Sequence, residues 1–238
     1  MKPSEFSAYD DEDPRSFRVL VFDLDCLFDD PRSLRMCSLA EALIQLADEE
    51  SLKLEMPDRT SLELLASNIE ANLDLLVPGL DKQGLKRLLE LVQEHKVAAI
   101  QEGRMRLQPE IHEAIEELKE MGYLLAIQSP DDRDYLLAVI DYFELDRYID
   151  ISICSGDVGR QEAELQLLEI LEKEDLLRSE AVFISNRGAE LDVARRMEIT
   201  AMGCLWGGGK EDEMQSADHL VRSPADLVML LSAAGDSL

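Results

Sequence analysis

Phe17-Arg18-Val19-Leu20-Val21-Phe22-Asp23-Leu24-Asp25 is a short apolar run that ends in two carboxylates. Val19, Val21 and Phe22 are β-branched or aromatic, so the run reads as a buried strand. In open α/β sheets the carboxyl ends of the strands face the crevice where ligands bind, which gives charge at this end of a buried strand a use. Successive side chains alternate along a strand, so Asp23 and Asp25 point the same way if it continues, and the pair suits a nucleophile with an acid/base partner. An aspartate after a strand also serves as a turn residue or as the cap of the next helix, and this stretch by itself leaves both readings open.

The rest of the chain supplies more strand ends. A strand over Tyr123–Gln128 ends at Ser129, a short strand over 149–154 leads to Ser155-Gly156-Asp157-Val158-Gly159-Arg160, and Ala181-Val182-Phe183-Ile184 stops at Ser185-Asn186-Arg187-Gly188-Ala189-Glu190. A last strand is expected near 199–205. Helices carrying Ile111, Ile115 and Leu118, then Leu136, Leu137 and Ile140, then Leu165, Leu168 and Leu171, fall between them. Pro109 suits the first turn of the first of these helices and Gly122 its carboxyl-terminal cap. Strands alternating with helices predict an α/β fold, a Rossmann-like doubly wound parallel sheet covered on both faces.

Residues 31–107 interrupt this pattern. Leu39, Leu43 and Leu46 share one helical face, as do Leu62, Leu65, Ile69, Leu73 and Leu76, and Leu85, Leu88, Leu89 and Val92 follow Pro78-Gly79. They read as a helical insertion whose basic residues, Lys82, Lys86, Arg87, Arg104 and Arg106, either meet an anion or decorate the surface. Residues 1–16, with Asp10, Asp11, Glu12 and Asp13 beside Pro3 and Pro14, read as an acidic flexible tail. The α/β core then comprises 17–30 and 108–238.

Composition narrows the partners. With 51 acidic and 24 basic residues the net charge is −27, a field that repels nucleic acid and anionic membranes. It repels phosphorylated substrates as well, so a site for them needs local positive charge from a metal ion, Lys or Arg, or helix amino termini. A basic protein partner is the converse expectation. The polar, acidic start is unlike a signal peptide and no apolar run spans a bilayer, so a cytoplasmic location is expected. Cys26, Cys37, Cys154 and Cys204 have no CxxC spacing and signal neither zinc nor a disulfide framework.

Taken in order, Phe22-Asp23-Leu24-Asp25, Gly122-Tyr123-Leu124-Leu125-Ala126-Ile127-Gln128-Ser129, Asp157-Val158-Gly159-Arg160, and Val182-Phe183-Ile184-Ser185-Asn186 with Glu190 resemble the four motifs of the haloacid dehalogenase (HAD) superfamily. Ala217-Asp218-His219-Leu220 and Ser223-Pro224-Ala225-Asp226-Leu227 are similar to the end of such proteins. The resemblance is to the phosphatase-like branch with a small all-helical cap inserted after the first motif, here 31–107. It implies a Mg2+-dependent phosphohydrolase of a small phosphorylated metabolite, in which Asp23 attacks phosphorus to give an aspartyl-phosphate and Asp25 acts as acid and base. It further implies that Ser129 and Arg160 grip the phosphate, and that Asp23, the Asp25 carbonyl, Asn186 and Glu190 hold the Mg2+. The chain departs from the pattern at Cys26-Leu27 in place of Gly-Thr, at Arg160 in place of lysine, and at Asn186 in place of a carboxylate. The competing readings are a catalytically impaired HAD-fold binding or regulatory protein and a haloacid-type dehalogenase, which Ser185-Asn186 favours and Asp25 disfavours.

Overall fold

The computed structural model describes residues 17–51, 56–67, 69, 72, 80–159 and 162–235. The acidic tail expected over 1–16 lies outside them, as does Arg160.

Strand β1 (Val19–Asp23) is buried along its whole length because it lies at the centre of the sheet. It pairs in parallel with β2 (Leu124–Ser129) on one side and β4 (Ala181–Ser185) on the other. With β3 (Ile151–Cys154), β5 (Thr200–Cys204) and β6 (His219–Val221) these form six strands in the order β3-β2-β1-β4-β5-β6, every pair parallel. The expected doubly wound sheet is therefore present. The sequence reading stops one strand short, since β6 is only three residues long and its first two are exposed.

Alternation along β1 assigns its side chains to two cores. Leu20 and Phe22 join Ile115, Leu118, Ile127 and Leu136 on one face, and Val19 and Val21 join Ile170, Phe183 and Leu191 on the other. Burying a side chain of this size contributes about 1.5–3 kcal/mol, so both faces must be covered for an all-parallel sheet to be stable. The cover is helical: α4 (Ile111–Glu120), α5 (Arg133–Tyr142), α7 (Ala163–Lys173), α8 (Gly188–Arg196) and α9 (Pro224–Gly235), with the single turn α6 (Ser155–Val158) after β3.

Before these come α1 (Pro31–Glu50), α2 (Arg59–Ser67) and α3 (Lys82–Gln101). Their starts are legible in local chemistry. Asp30 accepts from the Ser33 amide at 3.0 Å with Pro31 in the first turn, and Asp81 accepts from the Gln83 and Gly84 amides at 2.9 and 2.8 Å. The three helices close a core of their own from Leu39, Leu43, Leu46, Leu65, Leu88 and Leu91. Two adjacent segments join this unit to the sheet: the Gln108 amide donates to the Leu27 carbonyl at 2.8 Å and the Asp29 amide to the Arg106 carbonyl at 3.2 Å. The basic residues here include surface ion pairs, with Arg87 on Glu49 and Glu94 and Arg104 on Glu41 and Glu102. Such exposed pairs contribute little to stability. Among the described residues no helix is long and apolar enough to cross a membrane.

One buried pair ties the helical unit to the sheet. Lys96 of α3, only 6% exposed, reaches the Asp131 carboxylate just beyond β2, and Gln93 adds a donor at 3.2 Å. Burial pushes the Asp131 carboxyl up, but Lys96 and Gln93 pull it further down, so it lies below the ordinary 3.8. Lys96→Met leaves that carboxylate buried without its cation, and is expected to cost about 3–5 kcal/mol in urea unfolding near neutral pH. A carboxyl whose folded pKa is depressed contributes stability above its unfolded pKa and loses it as pH falls through the folded one. The difference between the two proteins should therefore shrink in unfolding curves taken below about pH 4.

Candidate active site

Asp23 is the last residue of the central strand and has no exposed surface. A carboxylate there needs donors, and three neighbouring elements bring them. Ser185, at the end of β4, donates its hydroxyl to Asp23 Oδ2 at 2.9 Å. Gln128 stands opposite Asp23 in the β1–β2 register, with its Nε2 3.4 Å from Oδ1. Arg187, in the loop after β4, holds its Nε 3.4 Å from Oδ2. Burial pushes the Asp23 carboxyl above the ordinary 3.8 and the charge of Asp25 adds to this, while Arg187 and the Ser185 hydroxyl oppose it.

The chain leaves β1 in a tight 3-10 turn over Leu24–Leu27, so Asp25 does not continue the strand's alternation. Its carboxylate pairs with Arg35, one turn into α1. Glu190, in the first turn of α8, is held twice: Oε1 pairs with Arg187, and Oε2 accepts from Gln128 Nε2 at 2.8 Å. The two oxygens of Asp23, the amide of Gln128, the carboxylate of Glu190 and the guanidinium of Arg187 thus form a closed ring of side chains.

The remaining expected residues lie at the same end of the sheet in other bonding roles. Ser129 is buried at the end of β2, where its hydroxyl accepts from the Asp131 amide at 3.1 Å. The Asn186 amide nitrogen donates to the Gly207 carbonyl at 3.0 Å. Gly207 is constrained there, because its φ of +59° is left-handed and a Cβ would stand 2.7 Å from Asn186 Nδ2. The segment expected to present Arg160 forms the α6 turn, in which Asp157 pairs with Arg133 and accepts from the Cys154 amide at 2.8 Å; these contacts hold its carboxyl down at about 2. Cys26 is buried, its thiol is pushed well above the ordinary 9.0 by that burial, and its sulfur rests 3.6 Å from the Ile184 carbonyl, so it is a packed thiol.

Arg35, Gln128 and Arg187 were not singled out as site residues in the sequence. Gln128 had a readable signal, being a polar residue closing an apolar strand. Arg32 and Arg35 had a weaker one, three residues apart just after the Asp30-Pro31 helix start. Arg187 had none beyond adjacency to Asn186. These arginines matter together: Arg32, Arg35 and Arg187 line a crevice of about 280 Å³ between α1, α2 and the loops after β4 and β5. Arg32 is fixed there by donating to the Gly208 carbonyl at 2.7 Å. Glu63 and Glu213 line it as well, so its three arginines outnumber its carboxylates by one, which is local positive charge of the kind an anionic ligand needs on so acidic a chain.

Fitting a divalent ion to these residues fails on the donors. Mg2+ takes six oxygens at about 2.0–2.1 Å in near-octahedral array, several of them usually waters, so the protein must offer it one or two free carboxylates. Both Glu190 oxygens and Asp23 Oδ2 are engaged, Asn186 is neutral, and a guanidinium occupies the space between Asp23 and Glu190. Among the described residues no group of three or more His, Cys, Asp or Glu is placed to hold a metal ion.

Comparison with known proteins agrees with the architecture. A phosphoglycolate phosphatase of Aquifex aeolicus (strain VF5) is 26% identical over 222 residues, covering 90% of this chain and 96% of that protein. CbbY from Rhodobacter sphaeroides, solved in complex with phosphate, superposes with a TM-score of 0.74 at 18% identity over 89% of this chain and 96% of that one. A haloacid dehalogenase-like family hydrolase from Streptococcus pneumoniae does so with a TM-score of 0.72 at 19% identity, covering 90% and 98%. Residues 20–204 match the family of haloacid dehalogenase-like hydrolases, and with the sheet order and the polar strand ends described above this places the chain in that family.

Proposed function

We propose that this hydrolase cleaves the phosphate ester of a small phosphorylated metabolite, with Asp23 as nucleophile and Asp25 as acid and base. The observation that carries the reading is the pairing of two aspartates at the end of the central strand with two arginines, Arg187 and Arg35, that also line the neighbouring crevice. The phosphatase name of the Aquifex relative supports it. In the same reading residues 31–107 are the cap over a core of 17–30 and 108–238, and the paired segments at Leu27–Asp29 and Arg106–Gln108 are the place where the cap moves. Access to Asp23 requires motion, because it has no exposed surface and Gln128, Ser185 and Arg187 stand against it.

The electron flow is that of covalent phosphoryl transfer. An Asp23 oxygen bonds to phosphorus as the ester P–O bond breaks, and the departing oxygen takes a proton from Asp25. Water then attacks the same phosphorus and gives its proton to Asp25, and the P–O bond to Asp23 breaks to release inorganic phosphate. Arg35 now grips Asp25; an entering phosphate competes for that guanidinium and frees Asp25 to take up the proton it must donate. Ser185 offers a hydroxyl beside the nucleophile, and in this reading Ser129, at the end of the adjacent strand, offers a second to the phosphate. Mg2+, which the family resemblance implies, enters none of these steps, for the donor reasons given above.

Two substitutions test the assignment with p-nitrophenyl phosphate. Asp23→Asn keeps the shape and removes the nucleophile, so turnover should fall by about a thousandfold or more with an unchanged circular dichroism spectrum. Activity at the wild-type level would remove Asp23 from the mechanism. Arg35→Ala takes away a charge-assisted contact of about 1.5–3 kcal/mol, and kcat/KM should drop on the order of 10- to 100-fold. A kcat/KM within twofold of wild type would show that the phosphate does not meet Arg35.

A further inference from the structure

We propose that Arg187 supplies the fixed positive charge beside Asp23 that a divalent metal would otherwise provide, so that this chain works at Asp23 without Mg2+. The inference rests on the phosphohydrolase reading and deepens it. Its basis is the ring of side chains around Asp23, in which each member is set by an element the fold already fixes. Gln128 is held opposite Asp23 by strand register, Glu190 lies three residues after Arg187 at the start of α8, and Gln128 bonds to Glu190 at 2.8 Å. Glu190 in turn holds the Arg187 guanidinium against Asp23. A surface arginine would need none of this scaffolding.

The chemistry of the position agrees. A phosphoryl group in transfer spreads negative charge over its equatorial oxygens, and preorganised cations aimed at those oxygens provide the stabilisation. A guanidinium stays charged at any working pH and offers a planar fork of donors. Here the Nε donor is buried and makes no hydrogen bond, while standing 3.4 Å from an oxygen of the nucleophile. A phosphate seated on Asp23 would find that donor unspent. A divalent cation in the same place would instead face the arginine's charge at close range and would have to take oxygens away from Arg187, Gln128 and Ser185. Asn186, neutral where the resemblance calls for a carboxylate, removes a further attraction for a metal. With all groups ionised, Asp23, Asp25 and Glu190 against Arg35 and Arg187 leave a single net negative charge, so the site is nearly balanced without a metal ion.

The experiment compares the full-length wild type with Arg187→Ser and with Arg187→Lys, which keeps the charge. Each is freed of metal with EDTA, then titrated with Mg2+ by calorimetry and by thermal unfolding, and assayed on p-nitrophenyl phosphate with and without the ion. Wild type should show no Mg2+-dependent change in Tm and equal rates in EDTA and in Mg2+. Arg187→Ser should gain Mg2+ binding with a rise in Tm, and should lose on the order of 100-fold in rate in EDTA, part of it restored by Mg2+. Arg187→Lys should bind no Mg2+ and keep an EDTA-insensitive rate. Abolition of wild-type turnover by EDTA, or Mg2+ binding by wild type as tight as by the serine variant, would overturn the proposal. Absence of wild-type hydrolysis under every condition would count against the phosphohydrolase reading instead, and the binding titrations would still decide the place of Arg187.

Discussion

Burying the carboxylate of Asp23 at the end of the central strand is the constraint on which the other contacts of the site depend. Taking an ionised carboxylate out of water costs several kcal/mol after relaxation, and unless that cost is met the group protonates or the fold opens. The flanking strands meet it with Gln128 and Ser185, and the loop after β4 meets it with Arg187. Strand register makes this work, since only a parallel sheet with β1 between β2 and β4 carries both neighbouring strand ends to the same carboxylate.

The helical unit extends the same electrostatics. Its first helix sends Arg35 to Asp25 and its third sends Lys96 to Asp131, so two of the contacts between unit and sheet near the site are cation-to-carboxylate pairs. In a chain of net charge −27 these placements are selective. Most of the acids are solvated, whereas the carboxylates at the crevice each have a designated cation. An anion entering the crevice meets arginines that are partly buried and already paired, and it must compete with carboxylates to use them.

Much of the fold was legible because its signals are local. Apolar runs ending in polar residues marked five of the six strands, and Pro109 and Gly122 marked the two ends of a helix through preferences that act within a turn. β6 escaped because three residues with two exposed carry no burial pattern. The site was legible in part for a similar reason. Asp23, Asp25, Ser129, Asn186 and Glu190 stand out as polar residues at strand ends, and the fold does bring those ends together. Gln128, Arg35 and Arg187 act through contacts spanning 105, 10 and 164 positions of chain, and only a folded arrangement reveals a partner at such separations.

The amino-acid sequence by itself determined the doubly wound sheet, the helical insertion between its first two strands, and the two aspartates at the end of the central strand. Periodicity and turn chemistry act over a few residues, and the hydrophobic effect needs no more than that to sort faces. What only the tertiary structure decided is how the charges are paired. The Glu190 carboxylate pairs with Arg187, and the same guanidinium lies beside Asp23, a pairing that adjacency in the chain does not announce. Electrostatic energies depend on distance and burial between residues far apart in the chain, and those quantities exist only once the strands have taken their order.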